Sequence, residues 1–367
     1  MLRTMLVTPE RVVDTRYGIG APLRPLVADE VLEVKFTTVP TGASRAVLTI
    51  TAPLGQYEGY ITAWDCSAQR PPTSDLNMKP GFTVTNQVDV SLSTQPASLN
   101  GVCIYVQQTT ELAVDLVGWQ GVLSAGLTLH PISPKNDGPD IYVSGGTVSL
   151  VNLAGPLLVP DAGARAVTIN LTSRGDYIDG GTGFVTLLDG STCSPTAAGV
   201  TSNLNFAANL WVSATAVVPL SVNRAICLFA SANARFRLDV IGWWDDQGSA
   251  AIGVDPPARL EDTRLLGSSF AGQPTDVLVQ VTGAAGVPSS GVVAASLNVT
   301  TVDATTGGGV TAFPCDVQRI RPRSLYAMHR VPVANHLVVP LDPAGRACVT
   351  LWRPAAVVVD ITSWWAA

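Results

Sequence analysis

Val-Asp-Leu-Val-Gly-Trp at positions 114–119 returns as Leu-Asp-Val-Ile-Gly-Trp at 238–243 and as Val-Asp-Ile-Thr-Ser-Trp at 359–364. From tryptophan to tryptophan the spacing is 124 and then 121 residues. Self-similarity at a nearly fixed period indicates that one structural unit is repeated along the chain. The 367 residues therefore divide into three repeats of about 120 residues, an ordinary length for one domain.

A second motif marks where a repeat begins. Arg-Val-Val-Asp-Thr-Arg at 11–16 matches Arg-Leu-Glu-Asp-Thr-Arg at 259–264, whereas the corresponding positions 131–136 read Pro-Ile-Ser-Pro-Lys-Asn. Repeat 2 therefore has a degenerate opening. The motifs predict three modules with boundaries at 1–121 (repeat 1), 122–247 (repeat 2) and 248–367 (repeat 3).

The six cysteines follow the same period, with one pair in each repeat. The pairs are Cys66 and Cys103, Cys193 and Cys227, and Cys315 and Cys348, separated by 37, 34 and 33 residues. The first cysteine of a pair follows a predicted strand and the second opens the next-to-last strand. This placement predicts one disulfide per repeat, worth roughly 3–4 kcal/mol on the chain-entropy model. Free buried thiols are the alternative, since zinc would need a Cys-x-x-Cys or Cys/His spacing that is missing here.

Within each repeat the apolar residues recur with a period of two. The stretch 88–92, Val-Asp-Val-Ser-Leu, alternates apolar and polar residues as a half-buried antiparallel strand does, with its polar side in solvent. Clusters of Gly, Pro, Asn and Asp separate seven or eight such stretches in repeat 1. We therefore predict an all-β chain of three tandem antiparallel β-sandwich modules, jelly-roll-like, with one disulfide each.

Charge and hydropathy exclude several classes of protein. Only 14% of the residues are charged and the net charge is −6. The composition is therefore neither that of a disordered chain nor that of a nucleic-acid-binding domain with a basic patch. No apolar run is long enough to span a membrane as a helix. Residues 1–9 are too few and too polar for a cleaved signal peptide, so we expect no ordinary export signal.

The motifs described so far, with Gly-Tyr-Ile-Thr-Ala-Trp-Asp-Cys at 59–66 and Thr-Ser-Asp-Leu-Asn at 73–77, resemble a known β-rich repeat. That repeat occurs in actinobacterial cell-surface proteins and in minor structural proteins of the phages that infect those bacteria. The resemblance is close in repeat 1, good in the second half of repeat 2, where Thr-Ser-Asn-Leu-Asn stands at 201–205, and loose in repeat 3. It implies a wall-associated or virion setting and brings no catalytic residues. The secreted members of this family have export signals, and we expect none here. The resemblance therefore favours the phage members of the family.

Asp14, Arg16, Asp262 and Arg264 in the two opening motifs are candidate ligand or interface residues. An arginine can bind a carboxylate or a phosphate through two parallel hydrogen bonds, so these segments predict a ligand site. The competing interpretation is structural. The aspartate would then organise a turn, and an arginine would pair across the sandwich with a strand carboxylate such as Asp115.

The tryptophans that end the repeats are further candidates. Trp119, Trp243 and Trp364 are expected to plug the module beneath the last strand. Trp244 and Trp365 alternate to the other face of that strand. There they form either a buried seam between modules or an exposed platform on which sugar rings stack, and both interpretations stay open for these two residues.

No catalytic, metal or cofactor site is predicted. The three histidines, at 130, 329 and 336, lie at no metal-ligand spacing, and no serine stands in a nucleophile elbow. The oxygen-rich segment 136–140 lacks the residue order of a calcium loop and reads as a turn. We therefore expect a protein that is not an enzyme and needs no cofactor. The enzymatic alternative is a sandwich-fold glycosidase, a class whose sequence signals are weak.

Together these features predict a non-enzymatic virion protein, a minor tail protein that helps to attach the phage to host cell-wall polysaccharide. Its partners would be other virion proteins and that polysaccharide, without nucleic acid or membrane insertion, and virion symmetry would make it oligomeric and its binding multivalent. One alternative is a capsid or tail decoration or scaffold subunit that binds only virion proteins. Another is a bacterial surface adhesin exported without a standard signal. Three modules around an axis would also let one chain fill a site that otherwise takes a trimer.

Overall fold

The computed structural model describes residues 1–134, 140–155, 159–160, 163–175, 181–198, 201–266, 274–319 and 324–367. In these ranges the chain consists of β-strands and loops, with short helical turns at Pro96–Ser98, Pro195–Ala198 and Thr263–Leu266. The prediction of an all-β chain is confirmed. Residues 135–136 of the lost opening motif and residues 136–139 of the oxygen-rich segment lie outside the described residues.

Repeat 1 forms two four-stranded antiparallel sheets. Its strands are β1 (Arg3–Asp14), β2 (Val31–Lys35), β3 (Ala43–Ala52), β4 (Gly59–Asp65), β5 (Leu76–Met78), β6 (Val84–Ser91), β7 (Gly101–Val106) and β8 (Ala113–Gly121). The first sheet has the order β1-β8-β3-β6 and the second has the order β2-β7-β4-β5. Four of the ten residues of β3 are valine, isoleucine or threonine, whose branched side chains fit a pleated surface.

Repeats 2 and 3 form corresponding pairs of sheets. Repeat 2 contains β9 (Thr128–Pro131), β10 (Asp140–Val143), β11 (Thr147–Asn152), β12 (Ala166–Gly175), β13 (Gly183–Asp189), β14 (Leu204–Phe206), β15 (Trp211–Pro219), β16 (Ala225–Ala230) and β17 (Ala234–Asp245). Repeat 3 contains β18 (Ala251–Asp262), β19 (Thr275–Gln280), β20 (Val292–Val302), β21 (Gly308–Pro314), β22 (Leu325–Ala327), β23 (Val333–Pro340), β24 (Arg346–Leu351) and β25 (Ala356–Ala366). Their sheet orders are β10-β17-β12-β15, β11-β16-β13-β14, β18-β25-β20-β23 and β19-β24-β21-β22, and β9 pairs with β17.

Each repeat has an apolar cluster of its own, drawn from both of its sheets. In repeat 1, Ile50 of β3, Ile61 of β4 and Ile104 of β7 are fully buried in one cluster. Burial of an aliphatic side chain of this size stabilises the folded state by roughly 1.5–3 kcal/mol. The three predicted disulfides, Cys66–Cys103, Cys193–Cys227 and Cys315–Cys348, are present, one in each repeat. The division into sandwich modules at 121 and 247 stays a prediction.

The six sheets form a ring around three equivalent strands, β6, β15 and β23. Each of these strands ends the first sheet of its repeat, and each contacts the other two. A fourth apolar cluster lies at this junction and combines residues of repeats 2 and 3, among them Trp244 and Trp365. We call the three strands and the side chains between them the axial junction.

The position of β6 corrects one sequence expectation. The polar residues Asp89 and Ser91 of the alternating stretch 88–92 were expected to face solvent, but the side chain of Asp89 and the residue Ser91 are each only 9% exposed. Residues of repeat 3, such as Thr362, cover the polar side of this strand. Alternation therefore identified the strand correctly, but the cover over its polar face is protein rather than water.

Candidate functional site at the axial junction

The opening motif of repeat 1 folds into a turn held by ion pairs within the chain. The carboxylate of Asp14 accepts two hydrogen bonds from the Arg16 guanidinium, at 2.9 and 2.6 Å, and one from the Arg16 backbone N–H at 3.1 Å. Arg11 bridges Asp14 and Asp115 of β8, at 2.5 Å from each. Burial alone would raise the pKa of Asp14, but Arg16 and Arg11 outweigh it and lower that pKa.

Repeat 3 builds the same turn at its own opening. Arg264 donates to Asp262 at 2.8 and 2.5 Å, and Arg259 pairs with Asp360 of β25 at 2.8 Å. The Nε and Nη2 groups of Arg16 and Arg264, which would form the fork for a bidentate ligand, are thus already paired with carboxylates of this chain. These contacts agree with the structural interpretation, in which Asp14 and Asp262 organise a turn, rather than with a ligand site.

The two candidate platform tryptophans are buried at the axial junction. Trp244 and Trp365 are each 3% exposed, and their rings meet edge to face with centroids 6.5 Å apart. The indole N–H of Trp244 donates to the Thr168 hydroxyl at 2.7 Å. Because no face of either ring is open to a sugar, the interpretation of these residues as an exposed platform is wrong. They lie instead in a seam between repeats 2 and 3.

The first tryptophan of the motif packs in the core of repeats 1 and 3 but has a different environment in repeat 2. Trp119 packs against the core cluster of repeat 1, and Trp364 belongs to that of repeat 3, as expected of a plug. Trp243 instead stacks on His130 of β9, with ring centroids 3.6 Å apart. His130 in turn lies 2.7 Å from Asp245, so this tryptophan helps to fix the additional strand of repeat 2.

Asparagine side chains join the repeats at the axial junction. Asn86 of β6 accepts a hydrogen bond from the backbone N–H of His336 of β23 at 3.2 Å and donates to the Asp75 carbonyl of its own repeat at 2.7 Å. Asn335 of β23 likewise accepts from the backbone N–H of Thr215 of β15 at 3.0 Å, and it donates to the carbonyl of Ser324 at 2.6 Å. The same side chain thus makes the same two contacts at two of the three interfaces between repeats.

The third interface lacks this contact because Ala214 of β15 stands at the position of Asn86 and Asn335. Gln87 takes over part of the role, since its side-chain oxygen accepts from the Val217 N–H at 2.9 Å. Strands at the end of a sheet present unpaired N–H groups, and such groups need partners when they are buried. These amide side chains supply the partners.

The Thr-Ser-x-Leu-Asn block has a structural role that the sequence did not reveal. Its third residue lies beside β4, β13 or β21 and accepts a hydrogen bond from a backbone N–H of that strand. The pairs are Asp75 with Ala63 at 2.7 Å, Asn203 with Leu187 at 2.7 Å, and Ser324 with Ala312 at 3.1 Å. The recurrence of the block indicated a shared role. Because the third residue differs between the repeats, the sequence did not show that three different side chains accept the same hydrogen bond.

A buried ionic network, which sequence reasoning also missed, joins repeats 1 and 3. The Arg45 guanidinium, 1% exposed, lies 3.0 Å from Asp89 and 3.1 Å from Asp255, and it donates to the Thr362 carbonyl at 3.1 Å. Asp89 also lies 2.8 Å from Nε2 of His336. Burial alone would raise the pKa of Asp89, but Arg45 and His336 hold that pKa well below its usual range. The available signal was an arginine that is the single charged residue of β3.

This network contains a serine, a histidine and an aspartate, but not in the arrangement of a catalytic triad. Both Ser296 and Asp89 contact Nε2 of His336, whereas a triad places the aspartate on Nδ1 and the serine on Nε2. Ser296 is 2% exposed and faces the interior of the junction. The three residues therefore hold repeats 1 and 3 together without offering a nucleophile to solvent.

A funnel of about 680 Å³ opens at one end of the axial junction and is lined by all three repeats. Its walls include Phe82 of repeat 1, Phe206 of repeat 2 and Val333 of repeat 3. Lys79 is the one charged side chain among the described residues that line it, and burial lowers the pKa of its ammonium group. The Lys79 ammonium lies 3.8 Å from the centroid of the Phe82 ring.

Within the residues that the structure describes, no three His, Cys, Asp or Glu side chains are grouped so that they could hold a metal ion. Over the same part of the chain, none of the helices has the length and apolar character needed to cross a membrane.

No protein-family model and no curated protein matches the chain. Among solved structures, a Sulfolobus turreted icosahedral virus structure is 10% identical over 94% of this chain and 84% of its own, with a TM-score of 0.20. A peptide-N(4)-(N-acetyl-β-D-glucosaminyl) asparagine amidase is 11% identical over 67% and 96%, with a TM-score of 0.19. An archaeal virus protein described by its triple jelly roll fold and turret assembly is 8% identical over 99% and 96%, with a TM-score of 0.18. Likenesses this weak carry no argument about function.

Proposed function

We propose that the chain is a non-enzymatic structural protein of a phage virion, specifically a minor tail protein. Each pair of sheets is one jelly-roll-like sandwich module, and the three modules of one chain stand where three subunits would stand around a threefold axis. The observation that carries this proposal is the axial junction. There β6, β15 and β23 meet, and Asn86 and Asn335 make equivalent contacts between successive repeats.

The resemblance of the repeats to those of phage minor structural proteins supports the virion setting. The surface of repeat 1 supports partners that are themselves proteins. Tyr17, Leu23 and Val27 are between 52% and 71% exposed in the loop between β1 and β2. Apolar side chains that are concentrated in one exposed loop favour a protein contact. In this role the chain would bind other virion proteins through its periphery.

Attachment to host wall polysaccharide is the second candidate function, and Tyr17 is the observation that favours it. Its ring is 71% exposed, and the Arg16 guanidinium lies 5.4 Å from the ring centroid. An exposed aromatic ring next to a donor group can stack on a sugar and hydrogen-bond to it. The carbohydrate site would then lie at the opening turn of repeat 1 rather than at Trp244 and Trp365.

Electron microscopy of virions labelled with antibodies against the full chain tests the structural role. We expect label at one position on the tail, and a reconstruction should place one copy of the chain on an axis where neighbouring proteins have threefold symmetry. Purified virions that lack the chain would overturn the proposal. A chain that sits away from any threefold axis would overturn the trimer-like placement.

Binding of the purified full chain to whole actinobacterial cells and to their isolated wall polysaccharide tests the second function. If the chain is an adhesin, binding saturates, the polysaccharide competes for it, and Tyr17→Ala weakens it at least tenfold. Tyr142→Ala is the matched control, since Tyr142 is 43% exposed in repeat 2, which lacks the opening motif. No binding by a folded sample would rule out attachment and leave contacts with virion proteins as the role.

A further inference from the structure

The funnel at one end of the axial junction is a cavity that the proposed function does not use. Three equivalent loops line it, namely those between β5 and β6, between β14 and β15, and between β22 and β23. In each loop the same position has a left-handed backbone, with φ of +76° at Gly81, +61° at Asn209 and +54° at Arg330. The loops therefore turn in the same way in all three repeats, and their side chains decide what the funnel can hold.

Apolar side chains stand at equivalent places on the wall of the funnel. Two sets of three line it, one from the loops and one from the strands that follow: Phe82, Leu210 and Val331, and then Val84, Val212 and Val333. All six residues are only half-buried, so a ligand that covers them removes apolar surface from water. The volume of about 680 Å³ lies within the range of roughly 300–1,000 Å³ that is usual for small-molecule sites. The wall therefore suits a small ligand with an apolar body.

At one position the three loops differ in chemistry. Repeat 1 has Lys79 where the other repeats have Ala207 and Met328. The Lys79 ammonium lies 3.4 Å from the Met328 sulfur and 3.8 Å from the centroid of the Phe82 ring. A thioether is a weak acceptor, and among the described residues no oxygen atom accepts a hydrogen bond from this ammonium. The funnel thus contains a cation whose strongest hydrogen bonds are still to be made.

The electrostatics of the funnel favour a ligand with one negative charge. Burial lowers the pKa of Lys79 because its ammonium loses water without gaining a carboxylate partner. The described residues that line the funnel include no Asp or Glu, so an anion there meets no like charge from them. A phosphate monoester carries close to two charges at neutral pH and would need more donors than one ammonium supplies. A carboxylate matches the single cation.

We propose that the funnel binds an amphiphile with one unbranched apolar chain and a terminal carboxylate, as in a medium-chain fatty acid. The chain contacts the two sets of apolar side chains, and the carboxylate accepts a hydrogen bond from the Lys79 ammonium. A hydrogen bond between two charged groups is shorter and stronger than one between neutral groups. Because Ala207 and Met328 replace the lysine in the other repeats, the site takes one carboxylate although its wall is built from three equivalent loops.

Isothermal titration calorimetry of the full chain with octanoate, octanol and acetate tests this site. We expect octanoate to bind with a stoichiometry of one, octanol to bind about tenfold or more weakly because it lacks the charge, and acetate to give no heat because it lacks the chain. Lys79→Met, which introduces the residue of repeat 3, should bind octanoate and octanol equally. Lys35→Met is the matched control at an exposed lysine outside the funnel and should keep the preference for octanoate. No binding to the folded wild type, or octanol bound as tightly as octanoate, would overturn the proposal.

Nuclear magnetic resonance of isotope-labelled methionine methyl groups locates the ligand. Octanoate should shift the Met328 methyl signal, which Met328→Leu identifies, and the shift should saturate together with the calorimetric heat. Met1 and Met5 do not line the funnel, so their signals should stay in place. Octanoate that binds without moving the Met328 signal would lie elsewhere and overturn the proposal. Because the titration uses the wild type, it decides the matter even if Lys79→Met fails to fold.

Discussion

The side-chain oxygen of Asn86 accepts a hydrogen bond from the backbone N–H of His336 at 3.2 Å, although 250 positions separate the two residues. Asn335 makes the equivalent contact with Thr215 at 3.0 Å. A strand at the end of a sheet is a template for pairing with another chain unless its polar groups are covered. In this fold three such strands meet, and amide side chains satisfy their N–H groups without merging the sheets. The repeats therefore stay distinct while their ends are closed.

Asn335→Ala tests how much one of these amides contributes to stability. The substitution leaves the Thr215 N–H and the Ser324 carbonyl buried without this partner, at about 1–3 kcal/mol for each unsatisfied group. We expect the free energy of unfolding, measured by urea denaturation, to fall by about 2–4 kcal/mol. Gln69→Ala, at an exposed amide, is the control and should stay within about 0.5 kcal/mol of the wild type. Equal stability of the two variants would show that the amide contact is not needed.

Features that form within one repeat could be read from the sequence. The cysteine spacing predicted the disulfides because each pair joins a strand end to a neighbouring strand of the same sheet, as Cys66 and Cys103 do. The opening motif could be interpreted as a turn because Asp14 and Arg16 lie two positions apart and pair locally. In these cases the partners lie in the same repeat, so a pattern that recurs with each repeat contains the information.

Features of the axial junction could not be predicted because their partners lie in other repeats. Trp244 and Trp365 alternate away from the core of their own module, and nothing in the local pattern says whether water or another repeat covers them. Asp89 occupies a polar position in an alternating strand, which is equally compatible with solvent and with Arg45 and His336. Periodicity tells which face of a strand differs from the core, but the packing between repeats decides what that face meets.

Substitution of the cysteines tests the disulfide of repeat 1. Cys66→Ala with Cys103→Ala opens a loop of 37 residues, which should lower the free energy of unfolding by about 3–4 kcal/mol on the chain-entropy model. Urea denaturation measures the loss, and circular dichroism checks that the strands remain. A control with Ser67→Ala and Val102→Ala is unsuitable because Val102 is fully buried. The comparison is therefore the wild type treated with dithiothreitol, which reduces its disulfides. If reduction of all three bridges leaves the wild type as stable as before, the bridges do not contribute.

The ionic pair between Arg45 and Asp89 belongs to repeat 1 alone. Repeats 2 and 3 have Ala166 and Ala294 at the position of Arg45, and Val217 and Val338 at that of Asp89. Removing one partner of a buried ion pair leaves the other charge buried without a partner. This lowers the free energy of unfolding more than removing both partners does.

A double-mutant cycle tests this coupling. Arg45→Ala should lower the free energy of unfolding by about 3–5 kcal/mol, because it leaves the Asp89 carboxylate buried with less compensation. Arg45→Ala with Asp89→Val gives repeat 1 the residues of the other repeats, and we expect it to be more stable than Arg45→Ala alone. Urea denaturation of both single variants and the double variant measures the coupling. Strictly additive losses would show that the two residues act independently.

Asp75 is a buried carboxyl group whose surroundings disfavour its charged form. Full burial raises its pKa from 3.8 to about 6, although the Ala63 N–H donates to it and favours the charged form. A carboxyl whose pKa is higher in the folded state than in the unfolded state makes folding less favourable once it is ionised. At neutral pH the ionised Asp75 therefore lowers the stability of the protein, and this effect disappears as the pH falls below about 4.

Asp75→Asn should stabilise the protein at pH 7.5 and have little effect near pH 4. Asn203 already accepts the equivalent hydrogen bond in repeat 2, so an amide fits the site. Since one pKa unit corresponds to about 1.4 kcal/mol, the gain at pH 7.5 is up to about 3 kcal/mol, and it should shrink between pH 6 and pH 4. Urea denaturation of both proteins across this range measures the difference, with Asp65→Asn at a more exposed carboxylate as the control. A difference that stays constant with pH would show that Asp75 does not titrate in this window.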